Sequence, residues 1–123
     1  MGLAILRLVL VCHSLAAFAQ SVFAGQFLSG IDGPVKFHEW TGWIALAISA
    51  IQVIVVSALM RPRVTSLWLL FGSVFLLLGE ALQIGTGYGR FLNVHIPLGV
   101  IVFGVATWQT ISVFLKRSGG PRK

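Results

Sequence analysis

The hydrophobic and polar positions divide the chain into four long apolar windows separated by short polar or glycine-containing segments. The windows cover roughly residues 3–28, 37–60, 64–87 and 91–115, and each is apolar over 20 residues or more. A helix of about 20 apolar residues crosses the ~30 Å hydrocarbon core of a bilayer. Short connections place consecutive helices antiparallel. The pattern therefore predicts an all-α fold, a transmembrane up-down four-helix bundle.

The scarce polar residues within these windows recur at fixed spacing. His38 is followed by a glycine four residues later and a glutamine fourteen residues later, and His95 is followed by the same residue types at the same distances. The two sets lie 57 residues apart, and the match extends backwards from both histidines. We therefore interpret the bundle as two copies of one helical hairpin. The matched residues are Gln26, Gly30, His38, Gly42 and Gln52 in the first copy and Gln83, Gly87, His95, Gly99 and Gln109 in the second.

Helical spacing predicts which side of each helix faces the bundle interior. On helices 2 and 4 the histidine, the glycine and the glutamine form one stripe of small and polar residues, which is typical of an interior face in a membrane bundle. On helix 3, Glu80 shares a face with Gln83, and we expect this carboxylate to find a partner or to be protonated. Helix 1 has two competing faces. One carries His13 and Gln20, the repeat register puts Gln26 inward instead, and the sequence leaves both open.

Composition and charge add the orientation of the bundle. Hydrophobic residues make up 57% of the 123 residues and charged residues 10%, which excludes a soluble domain. The net charge of +6 does not indicate nucleic-acid binding, because seven of the nine basic residues lie at one end of the predicted helices. By the positive-inside rule that end, with both termini, is cytoplasmic. The seven are Arg7, Arg61, Arg63, Lys116, Arg117, Arg122 and Lys123, and the two at the other end are Lys36 and Arg90.

The chain is too short for more than one membrane domain. We expect this domain over residues 1–117 and a flexible cytoplasmic tail over residues 118–123. Residues 1–19 also resemble a signal peptide, but the apolar run continues to Leu28, and we expect an uncleaved first helix. The single cysteine, Cys12, allows no intrachain disulfide.

The histidines at the starts of helices 2 and 4 are the candidate cofactor ligands. In an up-down bundle these helices occupy opposite corners, roughly 13 Å apart when neighbours are spaced about 9 Å. Two imidazoles that face each other across this diagonal leave room for a flat macrocycle ligated on both faces, and haem iron accepts imidazole axial ligands. The sequence therefore predicts a bis-histidine b-type haem, held by His38 and His95 near the outer face of the membrane.

Further residues are predicted to support this haem site. The glycines four residues after each histidine remove side chains where the macrocycle would lie against the helix, although close helix packing explains them equally well. The two glutamines at the outer level are expected to orient the ligands or to meet the haem propionates, and cationic or phenolic loop residues are further propionate partners. The set consists of Gly42, Gly99, Gln26, Gln83 and Arg90, with Lys36 and Tyr88 as additional loop candidates.

The starts of helices 2 and 4 also carry two short motifs, His38-Glu39-Trp40 and His95-Ile96-Pro97-Leu98-Gly99. With the duplicated hairpin they make the chain similar to one four-helix half of haem A synthase, to membrane b-type cytochrome bundles, and to small bacterial four-helix membrane proteins. The resemblance implies haem ligation by the two histidines and no more. We expect a multi-pass protein of the bacterial inner (cytoplasmic) membrane. The oxidase-type chemistry of the synthase is not carried over, because the glutamate expected three positions before the helix 2 histidine is Val35 here.

The function expected of such a site is electron transfer, with a redox partner or a quinone. The protein would be a carrier or a redox subunit rather than a stand-alone enzyme, alone or in a homo- or hetero-oligomer. One alternative is a cofactor-free structural or assembly subunit whose histidines pack or form hydrogen bonds. Two others are a zinc or copper site that Glu39 and Glu80 complete, and a small transporter that uses Glu80. His13 is interpreted as a structural histidine hydrogen-bonded to Gln52, Gln109 or a carbonyl.

Overall fold

The computed structural model describes residues 1–60 and 66–115, and this part of the chain forms four α-helices. We call the end of the bundle with the loops 29–33 and 89–91 the loop end, and the opposite end the terminal end. Each helix is long and apolar enough to cross a membrane, with mean hydropathy between 1.8 and 2.0. The helices are α1 (Gly2–Leu28), α2 (Pro34–Ala58), α3 (Leu67–Tyr88) and α4 (Leu92–Leu115).

The four helices pack in a square. Helix α1 packs against α2 and α4, and α3 packs against the same two helices, so that α1 faces α3 and α2 faces α4 across the centre. The predicted all-α up-down bundle is therefore confirmed. Two apolar clusters fill the interior, one toward the terminal end and one between α3 and α4. Their buried members are Leu6, Leu10, Val56, Leu69 and Val113 in the first and Leu76, Val102 and Ala106 in the second.

The outer surface of the square is apolar, as expected for helices in contact with lipid. Large side chains such as Leu8, Ile54, Phe71 and Val100 are exposed on the four helices. These surfaces identify a multi-pass membrane protein. The basic residues at 61 and 63 and the predicted tail at 118–123 lie outside the described residues, so the sidedness of the bundle stays a prediction.

The buried positions show how the two hairpins correspond. Those of α2 and α4 match at the predicted offset of 57 residues, but those of α1 and α3 match at an offset of 63. The predicted match of Gln26 with Gln83 is therefore wrong, and Gln20 is the counterpart of Gln83. The matched pairs in α1 and α3 are Leu6 with Leu69, Leu10 with Ser73, His13 with Leu76 and Ala17 with Glu80.

The offsets differ because the first hairpin is six residues longer at the loop end. Gln20 and His38 are 18 positions apart, whereas Gln83 and His95 are 12 positions apart. Helix α1 uses part of the extra length to continue to Leu28, which leaves Gln26 on its exposed last turns. The sequence left two orientations of α1 open, and the structure has the one that turns His13 inward.

Both loops at this end terminate their helices with the same hydrogen-bond pattern. The residue after the helix cap donates its amide to the carbonyl three positions back, and the next residue donates to the carbonyl five positions back. This is a Schellman motif, in which the residue after the cap takes a left-handed backbone conformation. Gly30 has a φ of 86° and Arg90 has a φ of 56°. Glycine adopts this conformation without steric cost, but arginine does not.

Candidate functional site

His38 and His95 meet across the centre of the bundle near its loop end. They come from the opposed helices α2 and α4, and their ring centroids lie 5.8 Å apart with the ring planes at 71°. An imidazole nitrogen binds a metal at about 2 Å, so two imidazoles on opposite sides of one metal have ring centres about 6 Å apart. The separation of the two rings therefore suits two ligands on opposite sides of one metal ion.

Each of these rings is held by a backbone carbonyl of the other helix in its own hairpin. His38 Nδ1 donates to the carbonyl of Gln20 at 3.1 Å, and His95 Nδ1 donates to the carbonyl of Gln83 at 2.9 Å. A carbonyl only accepts, so both rings carry a proton on Nδ1, and in the neutral ring the Nε2 lone pair is available. Within residues 1–60 and 66–115 no hydrogen bond engages either Nε2. This is the tautomer that a metal-ligating imidazole needs.

A cavity of about 500 Å³ lies among the four helices around the two histidines. Cofactor pockets commonly measure about 300–1,000 Å³. Five of the seven residues predicted to bind the cofactor line this cavity, namely His38, His95, Gly42, Gly99 and Gln83. The structure thus brings together most of the predicted site. Other polar residues of the lining are Gln20, Ser21, Glu39, Glu80 and Tyr88.

The two predicted glycines lie beside glutamine side chains of the neighbouring helix. A Cβ at Gly99 would lie 2.6 Å from Gln83 Nε2, and a Cβ at Gly42 would lie 3.6 Å from Gln20 Nε2. Gly99 therefore leaves room for the Gln83 side chain, whereas a Cβ at Gly42 would make an ordinary van der Waals contact with Gln20. The expectation that both glycines clear space for a macrocycle stays a prediction.

Gln26 and Arg90, the other two predicted site residues, do not line the cavity. Gln26 is exposed because of the longer first hairpin, and Arg90 occupies the left-handed position of the second loop. Lys36 is also exposed and outside the cavity lining. At the cavity mouth the Tyr88 hydroxyl donates to Glu39, which links α3 to α2.

Gln20 takes the place that was predicted for Gln26. Its carbonyl accepts from His38, and its Nε2 donates to the His38 carbonyl at 2.6 Å and to Thr41 Oγ1. Its counterpart Gln83 differs in one respect, because Gln83 Oε1 is buried and has no hydrogen-bond partner within the described ranges. A buried acceptor without a partner is costly, so this oxygen on the cavity wall marks a place where a ligand is expected.

Below the histidines, away from the loop end, buried polar side chains form a hydrogen-bonded network. Gln109 Nε2 donates to the Leu69 carbonyl at 3.1 Å, and Gln109 Oε1 accepts from Gln52 Nε2 at 2.7 Å. Gln52 Nε2 also donates to Ser73 Oγ at 2.9 Å. Because the Leu69 carbonyl only accepts, it orients both amides, and Gln52 Oε1 is left as an acceptor for His13 Nδ1 at 2.8 Å. The predicted hydrogen bond between His13 and Gln52 is confirmed.

The other nitrogen of His13 faces a carboxylate. His13 Nε2 lies 3.3 Å from Glu80 Oε1, and the two residues are 0% and 4% exposed. The expectation that Glu80 points into the bundle and finds a partner there is confirmed. Glu80 also lines the cavity, so it connects the buried network to the space between the two histidines.

The polar groups do not assemble into a site of three or more metal ligands. No such group of His, Cys, Asp and Glu side chains is found in residues 1–60 and 66–115. The geometry therefore suits a cofactor that needs two protein ligands, such as a metal already held in a macrocycle, better than a bare zinc or copper ion.

Comparisons with known proteins identify no relative of this chain. No protein-family model, curated protein or solved structure matches the chain. The resemblance to one half of haem A synthase and to membrane b-type cytochromes therefore stays a prediction from the two motifs and the repeat.

Proposed function

We propose that this protein is an integral membrane haem protein in which His38 and His95 ligate the iron of a b-type haem from opposite sides. The observation that carries the proposal is the geometry of the two rings. They lie 5.8 Å apart between opposed helices, and both offer Nε2 because a carbonyl fixes the proton on Nδ1.

The surroundings of the rings fit a haem. The cavity of about 500 Å³ adjoins both rings, and apolar side chains make up most of its wall. The exposed cations Lys36 and Arg90 lie at the loop end, which favours propionates directed toward that end.

A haem held by His38 and His95 would supply a reversible one-electron change. The chain's own contribution is to hold the two rings. The carbonyls of Gln20 and Gln83 would fix the tautomer and the orientation of the two ligand rings. Electron transfer follows from this arrangement, as a carrier or as a redox subunit of a larger assembly.

The position of the site restricts its partners. Both histidines lie within about one turn of the helix starts, so one haem here serves the loop end and does not by itself carry electrons across the bilayer. An external redox protein or a quinone is the corresponding partner. In our proposal the loop end faces the outside of a bacterial inner membrane, in accordance with the basic residues at the terminal end.

An optical spectrum of the purified protein, first oxidised and then reduced, tests the proposal. After expression with ample haem we expect a red protein with split visible bands on reduction. His38→Ala and His95→Ala should each abolish these bands. His13→Leu is the matched control, because it removes a buried histidine that does not adjoin the metal position, and it should keep the bands. A colourless wild-type protein would refute the proposal.

A second function is favoured by one specific observation. Each histidine joins the two helices of its own hairpin through its Nδ1 hydrogen bond, and the two rings contact each other edge to face. Such contacts also suit a cofactor-free structural or assembly subunit. In that case the double alanine variant of His38 and His95 would lose stability, and the wild-type protein would bind no haem.

A further inference from the structure

The two hairpins are alike at the histidines of the cavity and unlike one turn deeper. His13 and Glu80 are buried in α1 and α3, and their counterparts in the repeat are Leu76 and Ala17. Leucine and alanine therefore fill the same positions in the opposite hairpin. Packing alone does not require an ionisable pair here, and intramembrane ionisable residues usually serve a function.

The hydrogen-bond network fixes how many protons the pair holds. The Leu69 carbonyl orients Gln109 and Gln52, so that His13 Nδ1 must donate to Gln52 Oε1. One proton then lies between His13 Nε2 and Glu80 Oε1, which are 3.3 Å apart. Whether it resides on the nitrogen or on the oxygen, the pair has no net charge. It gains a positive charge when it takes up a second proton.

Glu80 is placed to respond to a change of charge in the cavity. It lines the cavity and is 4% exposed, and interactions between charges are strong where side chains are buried. The other titratable groups that line the cavity are His38 from α2 and His95 from α4, with Glu39 and Tyr88 at its mouth. The rings of His38 and His95 already donate through Nδ1, and the Tyr88 hydroxyl donates to Glu39. The His13–Glu80 pair is therefore the group that can accept a proton on the inner side.

We propose that the His13–Glu80 pair is a proton-binding site that takes up one proton when the cofactor between His38 and His95 gains one electron. The inference rests on the proposed haem function. An external one-electron reductant would convert ferric to ferrous iron, which removes one positive charge. The pair then takes up one proton from the solvent, so that His13 and Glu80 are both protonated and the positive charge is restored. The net charge of the bundle interior is the same before and after.

The midpoint potential of the wild-type protein, measured against pH, tests this coupling. We expect the potential to fall as pH rises, at up to 59 mV for each tenfold change in proton activity, the value for one proton per electron. Glu80→Gln should keep the visible haem bands and remove this slope. Asp32→Asn is the control, because it neutralises an exposed carboxylate of the loop end outside the cavity lining, and it should keep the slope.

A second variant distinguishes loss of the proton site from misfolding. The double variant His13→Leu, Glu80→Ala carries at both positions the residues of the other hairpin, and it should bind haem and show a pH-independent potential. In the wild type, the infrared difference between the reduced and oxidised states should contain the carbonyl stretch of a protonated carboxylic acid, shifted in D₂O and missing in Glu80→Gln.

The outcomes separate the two proposals. A slope that survives Glu80→Gln, a slope that disappears in Glu39→Gln instead, or a wild-type potential independent of pH overturns the proton site and leaves haem binding intact. Absence of haem bands from the wild-type protein overturns haem binding, and the proton site with it.

Discussion

Gly72 leaves the space that the Gln109 side chain of the buried network occupies. A Cβ built on Gly72 would lie 2.1 Å from Gln109 Nε2. That amide cannot move away without loss of its bonds to the Leu69 carbonyl and to Gln52. We expect Gly72→Ala to lower the free energy of unfolding by about 1–3 kcal/mol, the range for overpacking and for buried polar groups without a partner. Thermal unfolding of the purified protein in detergent measures this change.

The matched control for this substitution is Gly104→Ala in α4. Nothing lies within 4 Å of a Cβ at Gly104, so the added methyl group meets no neighbour. Alanine also favours a helix interior over glycine by about 1 kcal/mol. Gly104→Ala should therefore leave the stability unchanged or raise it. Equal losses in the two variants would show that the space at Gly72 is not reserved for Gln109.

Arg90 offers a test of its predicted role as a propionate partner against its observed role in the loop. Its φ of 56° lies in the left-handed region, which costs a side-chain-bearing residue about 1–2 kcal/mol. Glycine is the preferred residue at this position of a Schellman motif, and the equivalent loop has Gly30. We expect Arg90→Gly to raise the free energy of unfolding by about 1 kcal/mol, measured by thermal unfolding in detergent. A weaker retention of haem in this variant would instead support the predicted propionate contact.

The sequence predicted which residues line the cavity better than it predicted their hydrogen-bond partners. His38 and His95 could be identified because scarce residues recurred at equal spacing, and Glu80 because a carboxylate in an apolar helix needs a partner. Gln26 was wrong for a physical reason: it matched Gln83 by chance at the repeat spacing, whereas packing depends on the height of each residue along its helix. The partner carbonyls of the histidines could not be predicted, since they depend on how α1 and α3 are placed beside α2 and α4.

At the scale of the helices, the contact between α1 and α4 can be tested directly. Ser14 Oγ and Thr110 Oγ1 lie 2.8 Å apart on these two helices. The two side chains are therefore in direct contact, as the two residues of a disulfide must be, whose Cβ atoms lie about 3.5–4.5 Å apart. In a Cys12→Ala background, we expect Ser14→Cys with Thr110→Cys to lose both free thiols on mild oxidation. Ser14→Cys with Ser112→Cys should keep them, because the Ser112 hydroxyl is exposed and donates within its own helix.

The four helices were predictable because each apolar window is as long as a membrane is thick, and a helix satisfies every backbone group there. The rotation of α2 and α4 was predictable as well, because small and polar residues marked their inner faces. The rotation of α1 was not. Both of its candidate faces carry a glutamine among apolar residues, and only the six-residue difference in hairpin length decides between Gln20 and Gln26.

At the scale of the whole molecule, the position of the positive charges predicts which end of the bundle faces outward. Lys36 lies exposed at the loop end and Met60 lies exposed near the terminal end of α2. In a Cys12→Ala background, we expect Lys36→Cys to react with a membrane-impermeant maleimide in intact cells. Met60→Cys should react only after the membrane is permeabilised. The reverse pattern would place the histidine site at the cytoplasmic surface.

The unequal length of the hairpins also shapes the entrance to the cavity at the loop end. Helix α1 continues eight residues beyond Gln20, whereas α3 continues five residues beyond Gln83. At 1.5 Å per residue α1 stands roughly 4–5 Å above α3. The protein surface beside the entrance is thus higher at α1 than at α3. Under the proposed function, a soluble electron donor or acceptor would approach most closely over α3, on the side of the hairpin that carries His95.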